Sequence, residues 1–125
     1  MDIQFFNNND QVPKPKDEIR IEELTVTPYP DRRRVFIVIK VTPFQERPNL
    51  VLVARDEDDN VVSELDIIET MHASMEFTMH LRSPNDPAGA YSLTADLFYE
   101  TKTPPQDQHI IGFVIPSEQA DETSD

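Results

Sequence analysis

The oxygen-rich run Asp56-Glu57-Asp58-Asp59-Asn60 is the segment of this chain best suited to metal chemistry. Asp56, Asp58 and Asn60 alternate, and carboxylate and amide oxygens are the hard ligands calcium takes. The usual twelve-residue calcium loop is not met, because its glycine is missing and the twelfth position is Ile67 rather than an acid. A calcium site here needs further carboxylates from a neighbouring loop, such as Asp86 or Asp107. The simpler reading is a hairpin turn, in which Asp and Asn side chains bond their own backbone. No metal and no other cofactor is expected.

The other reactive side chains are scattered. His72, His80 and His109 show neither His-x-His nor His-Glu-x-x-His spacing, so no pair is set to share a metal. Six serines lie outside any Gly-x-Ser-x-Gly elbow, and no phosphate-binding loop is present. Carboxylates are abundant, but general acid–base work needs one in a pocket with a raised pKa. A chain without catalytic activity is the expectation. Arg32-Arg33-Arg34 suits either a grip on an acidic patch or a guard at the start of a very apolar strand, and the guard reading is preferred.

Composition narrows the class further. The 125 residues suit one domain, and the apolar fraction of 38% suffices for one core. With no cysteine, disulfides and thiolate metal sites are excluded. No basic segment leads into a long apolar stretch, so a cytoplasmic protein is expected. The formal charge is −13, from 11 basic and 24 acidic residues. Residues 1–48 carry eight of each, and 49–125 hold all of the excess, 3 − 16 = −13. Such a field repels phosphate backbones and anionic lipid, so neither nucleic acid nor membrane is an expected partner.

Short apolar runs must position these groups. In Met75–Arg82 every odd residue is apolar and every even one polar, the period of a half-buried strand. Seven such strands are predicted: about 19–27, 33–42, 50–55, 61–68, 75–82, 91–100 and 108–115. The first changes parity near Glu22-Glu23, which a bulge would reconcile. The expected organisation is a flexible arm over 1–18, a domain over 19–116 and a disordered acidic tail over 117–125. Ile3, Phe5 and Phe6 of the arm are apolar enough to dock on the domain or on a partner. Count and spacing fit an all-β fold, a two-sheet antiparallel β-sandwich.

Asp86-Pro87-Ala88-Gly89-Ala90-Tyr91-Ser92-Leu93 adds a family resemblance. It is similar to the immunoglobulin-like pattern in which an acidic and a small residue precede Tyr-x-Cys on the sixth strand. The chain resembles an immunoglobulin-like or fibronectin type III-like domain lacking its disulfide. The resemblance implies that Tyr91 is a corner tyrosine bonded to backbone just upstream. It also implies that Leu93 replaces the second cysteine and Leu52 the absent tryptophan.

Leftover hydrophobicity points to function. With these parities Val51 and Val53 face outward on the third strand, Phe98 on the sixth, and Ile110 and Val114 on the seventh. In a sandwich of this kind those strands are neighbours, so the five residues would form one apolar stripe, with Phe36 and Val38 a smaller patch on the other sheet. Contiguous exposed apolar surface marks an interface. The chain reads as a non-catalytic protein-interaction module, its partner a protein or a second copy of itself in a two-fold dimer. The alternative is a ligand-binding module working through its loop ends on calcium or carbohydrate, with Tyr29 and Phe44 the available loop aromatics.

Overall fold

The computed structural model describes residues 12–82 and 86–117. Ile3, Phe5 and Phe6 and the tail beyond Ser117 lie outside the described residues. Among the described residues seven strands follow one 3-10 turn at Lys16–Glu18. They are β1 (Ile21–Pro28), β2 (Arg34–Val41), β3 (Asn49–Arg55), β4 (Val61–Ile67), β5 (Ser74–His80), β6 (Gly89–Phe98) and β7 (Asp107–Ile115). All pairings are antiparallel, in a three-stranded sheet of order β1-β2-β5 and a four-stranded sheet of order β4-β3-β6-β7. This is an immunoglobulin-like β-sandwich. Its fourth strand pairs with the third, whereas in the constant-type immunoglobulin domain it belongs to the other sheet.

Alternation fills the space between the sheets. Val35, Ile37, Ile39 and Val41 of β2 are buried, and Phe36 and Val38 lie half-buried on the outside. Leu50, Leu52 and Ala54 of β3 meet Leu93, Ala95 and Leu97 of β6 in the same core cluster. Leu52 and Leu93 are fully buried, filling with aliphatic volume the positions that tryptophan and cysteine take in the family pattern. The register between β1 and β2 shifts between Ile21 and Glu23, so the expected bulge is present and returns Leu24 and Val26 to the core side.

The corner tyrosine is also in place. The buried Tyr91 hydroxyl donates to the Pro87 carbonyl at 2.6 Å, and its ring stacks on Phe113 at 5.2 Å between centroids. Gly89 opens β6 at φ 141°, a conformation that side chains resist.

Part of the expected flexible arm is tied down. Lys14 forms a parallel bridge with Phe44, its N–H donating to Pro43 and its carbonyl accepting from Gln45, each at 2.9 Å. Pro13 and Pro15 hold the backbone on either side extended, which suits a one-residue bridge. Further on, the Gln106 side chain donates to the carbonyls of Lys16 and Ile19, and Ile19 is fully buried.

Candidate functional site

The acidic run closes the β3–β4 hairpin. Asp59 N–H donates to the Asp56 carbonyl, Asp56 N–H to the Asn60 carbonyl, and Asp59 takes φ 68°. This is a tight turn followed by a left-handed residue, a common hairpin closure. The Asp56 carboxylate accepts from the N–H groups of Asp58 and Asn60, both at 2.9 Å. Asp56, Asp58 and Asn60 therefore act as turn residues. Beside them a cleft of about 140 Å³ is lined by Glu57, Asp86 and Tyr91 among others. Glu57 Oε2 there accepts from Ala90 N–H, while Asp86 Oδ1 accepts from Ala88 N–H and from Arg32. Among the described residues no group of three or more His, Asp or Glu side chains gathers around a possible metal position.

Electrostatics in these turns favours ionised acids. The Asn60 N–H holds Asp56 below the ordinary carboxylate pKa. The Ala88 N–H, then the Arg32 guanidinium, does the same for Asp86, and the Arg33 N–H, then Arg34, for Asp31. A general acid needs the opposite shift. His72 and His80 are exposed, and His109 lies 3.8 Å from Asp107.

The arginine triplet makes specific contacts at one end of the sandwich. Arg32, at φ 64°, reaches across to Asp86 at 3.0 Å and to the Pro116 carbonyl at 3.2 Å, joining three segments at one end of the sandwich. Arg34 pairs with Asp31 at 2.7 Å and lies 4.3 Å from the centre of the Tyr29 ring. One face of Tyr29 is thereby occupied, and its ring stands edge-to-face with Phe36 at 6.5 Å between centroids. Phe44, the other loop aromatic, is half-buried beside the Lys14 bridge.

The five predicted interface residues share the outer face of the four-stranded sheet, and β3, β6 and β7 are neighbours as expected. The register nevertheless breaks the expected single stripe. Val51 lies between Asp66 of β4 and Asp96 of β6, in a row that continues to Gln108. Val53 lies between Glu64 and Thr94, in a row that ends at Ile110. Val51 is only 4% exposed, hemmed in on the central strand, and Val53 and Phe98 are half-buried. Ile110 and Val114 are each 65% exposed on β7. What remains is an apolar pair on an edge strand beside an acidic field, with Asp96 held by the Gln108 amide at 2.8 Å.

A second display was not expected. Ile68 and Met71, in the β4–β5 loop, are 70% and 65% exposed. Between them Thr70 is buried, its N–H donating to the Pro48 carbonyl and its hydroxyl to the His72 carbonyl. Glu69, at φ 48°, donates its N–H to Asn49 Oδ1, and Asn49 in turn donates to the Tyr99 carbonyl. The Tyr99 hydroxyl donates to the Glu46 carbonyl, and burial, reinforced by the Glu46 charge, pushes its pKa up to about 12. The only sequence signal was an apolar residue on each side of Glu69-Thr70.

No family model and no curated protein matches the sequence. Solved structures do match the fold. A glycosyl hydrolase family 2 member from Bacteroides cellulosilyticus aligns with a TM-score of 0.61 and 13% identity, over 78% of this chain and 14% of its own. A β-glucuronidase from Bifidobacterium dentium gives 0.60 and 15%, over 79% of this chain and 18% of its own. A putative β-galactosidase from Bacteroides fragilis gives 0.58 and 12%, over 78% and 17%. At such identities the likeness is one of fold. The chain spans less than a fifth of each of these proteins, so what it matches is one β-sandwich portion of a much larger chain.

Proposed function

We propose that this β-sandwich is a non-catalytic protein-interaction module that docks its partner through the outer face of β3, β6 and β7. One observation carries the reading: Ile110 and Val114 stand exposed on an ordered strand where nothing in the fold needs them apolar. Exposed apolar side chains grouped on one face and rimmed by polar residues mark an interaction surface. Glu64, Asp66 and Asp96 share the face, so the complementary partner carries lysine or arginine around an apolar centre. A second copy is disfavoured here, because it would set these carboxylates against their own kind. The likeness to portions of larger enzymes supports an accessory role for such a sandwich.

A photoreactive side chain at position 110 tests this in cells. A discrete cross-linked product is expected from position 110 and not from Thr25 on the opposite sheet. Equal yields from the two positions, or none, would remove the proposal.

The second reading is a loop-end site for calcium or a sugar, and its sugar version draws on the structural neighbours, which are glycosyl hydrolases and β-glucuronidases. It has less behind it, because turn N–H groups engage the Asp56 carboxylate and Arg34 covers one face of Tyr29. A melting-temperature rise on adding calcium or a glucuronide would favour it.

A further inference from the structure

The sandwich has four edge strands, and they are treated differently. β1 carries the Glu22-Glu23 bulge and ends at Pro28. β7 has β1 running beside it, fastened where Asp107 Oδ2 accepts the Ile21 N–H at 2.8 Å. β4 exposes Glu64 and Asp66 and begins at a register shift. Bulges, prolines, charges and covering segments are the usual ways of blocking an edge. β5 has neither bulge nor proline and exposes one acid, Glu76, where β4 exposes two, and its seven residues pair in unbroken register with β2. β4 comes alongside the C-terminal end of β5, where just past the strand Arg82 N–H donates to the Val62 carbonyl at 2.8 Å.

The direction of its free backbone groups follows from the ladder. Val41 N–H donates to the Ala73 carbonyl, and Leu81 N–H to the Arg33 carbonyl, so odd residues of this segment bond toward β2. In an antiparallel pair the intervening residues turn their N–H and C=O groups the other way. Ser74, Glu76, Thr78 and His80 therefore present donors and acceptors along the open edge. Their side chains are all exposed. Beneath them Phe77 points inward yet is only half-buried, and it lines an open hollow of about 440 Å³ with Met75 and His72. Among the described residues an aromatic core residue is thus left partly wet at an edge where Ser74, Glu76, Thr78 and His80 pair with no further strand.

We propose that β5 pairs antiparallel with β5 of a second copy about a two-fold axis at Phe77, joining the two three-stranded sheets into one. In this register Ser74 faces His80 of the second copy, and Glu76 faces Thr78. Every open position is then used, and no like charges stand directly opposite. Phe77 packs against Phe77 of the other copy, and Met75 against Met79. The neighbouring register, centred on Glu76, sets two carboxylates face to face. A two-fold contact of this kind closes at a dimer and leaves β7 free, so it is separate from the docking face proposed above. An edge contact is small, and the chains repel through their net charge of −13. Dimerisation is therefore weak and tightens as salt is raised.

Sedimentation equilibrium of the full chain, up to about 1 mM protein and at two salt concentrations, tests the proposal. A monomer–dimer equilibrium that tightens with salt is expected. Thr78→Pro removes an edge N–H together with the hydroxyl that meets the Tyr29 hydroxyl at 3.0 Å, and should weaken dimerisation at least tenfold. Thr78→Val, which loses the hydroxyl alone, and Ile110→Lys with Val114→Lys should leave it unchanged. A chain that stays monomeric throughout, or a dimer that survives Thr78→Pro but not the β7 changes, would overturn it. Should Thr78→Pro fail to fold, amide exchange of the unaltered chain decides. The N–H groups of Ser74, Glu76, Thr78 and His80 gain protection with concentration if the proposal holds, and exchange freely at every concentration if it does not.

Discussion

Removing a single oxygen from Tyr91 should be costly. Tyr91→Phe keeps the ring stacked on Phe113 and deletes only the hydroxyl that donates to the Pro87 carbonyl at 2.6 Å. Pro87 is fully buried, so water does not readily replace the donor. A buried acceptor left without its partner costs about 1–3 kcal/mol. For a domain of about 100 residues each kcal/mol moves Tm by roughly 4–8 °C, so a fall of about 4–24 °C is expected. Urea unfolding followed by circular dichroism gives the same quantity independently, with the midpoint lowered and the slope unchanged. Tyr91→Ala should cost more, about 3–5 kcal/mol, because the stacked ring goes as well. Equal stability of Tyr91→Phe and the unaltered chain would refute the idea that the corner bond fastens the β5–β6 connection to β6.

Three further outcomes are expected. Leu52→Ala removes a fully buried side chain opposite Ala95 and should destabilise by about 2–5 kcal/mol in urea titration. Thr70→Val keeps the shape but leaves the His72 carbonyl without its donor, so a loss of about 1–2 kcal/mol is expected, with faster amide exchange at Glu69 and Met71. Burial raises the pKa of Tyr91, and that of Tyr99 to about 12, so the folded chain keeps protons that the unfolded chain releases. The stability these groups contribute is intact below about pH 10 and is lost as pH rises toward 12, and urea midpoints should fall less steeply over that range in Tyr99→Phe.

Much of the fold was legible because β-strands write their burial every second residue. Met75–Arg82 declared its faces, the parity change at Glu22-Glu23 located the bulge, and Tyr91 announced the corner. The interface stripe was only half legible for a related reason. Parity says which way Val51 points but not what stands beside it, and the register, a property of strand pairs, placed Asp66 and Asp96 on its two sides. Arg32 escaped for a similar reason: its partners, Asp86 and Pro116, come from distant segments that only the closed sandwich brings together. Met71 carried no periodic signal, since its exposure depends on the polar anchors of the loop, Thr70 and Asn49.

The docking face rests on Ile110 and Val114, and the most direct measurement compares partner affinity before and after both become lysine. Using the partner identified by cross-linking from position 110, titration calorimetry should show affinity falling at least thirtyfold, the equivalent of losing about 2 kcal/mol at a hot spot, while the melting temperature stays unchanged. Undiminished affinity in a fully folded Ile110→Lys, Val114→Lys chain would contradict the account.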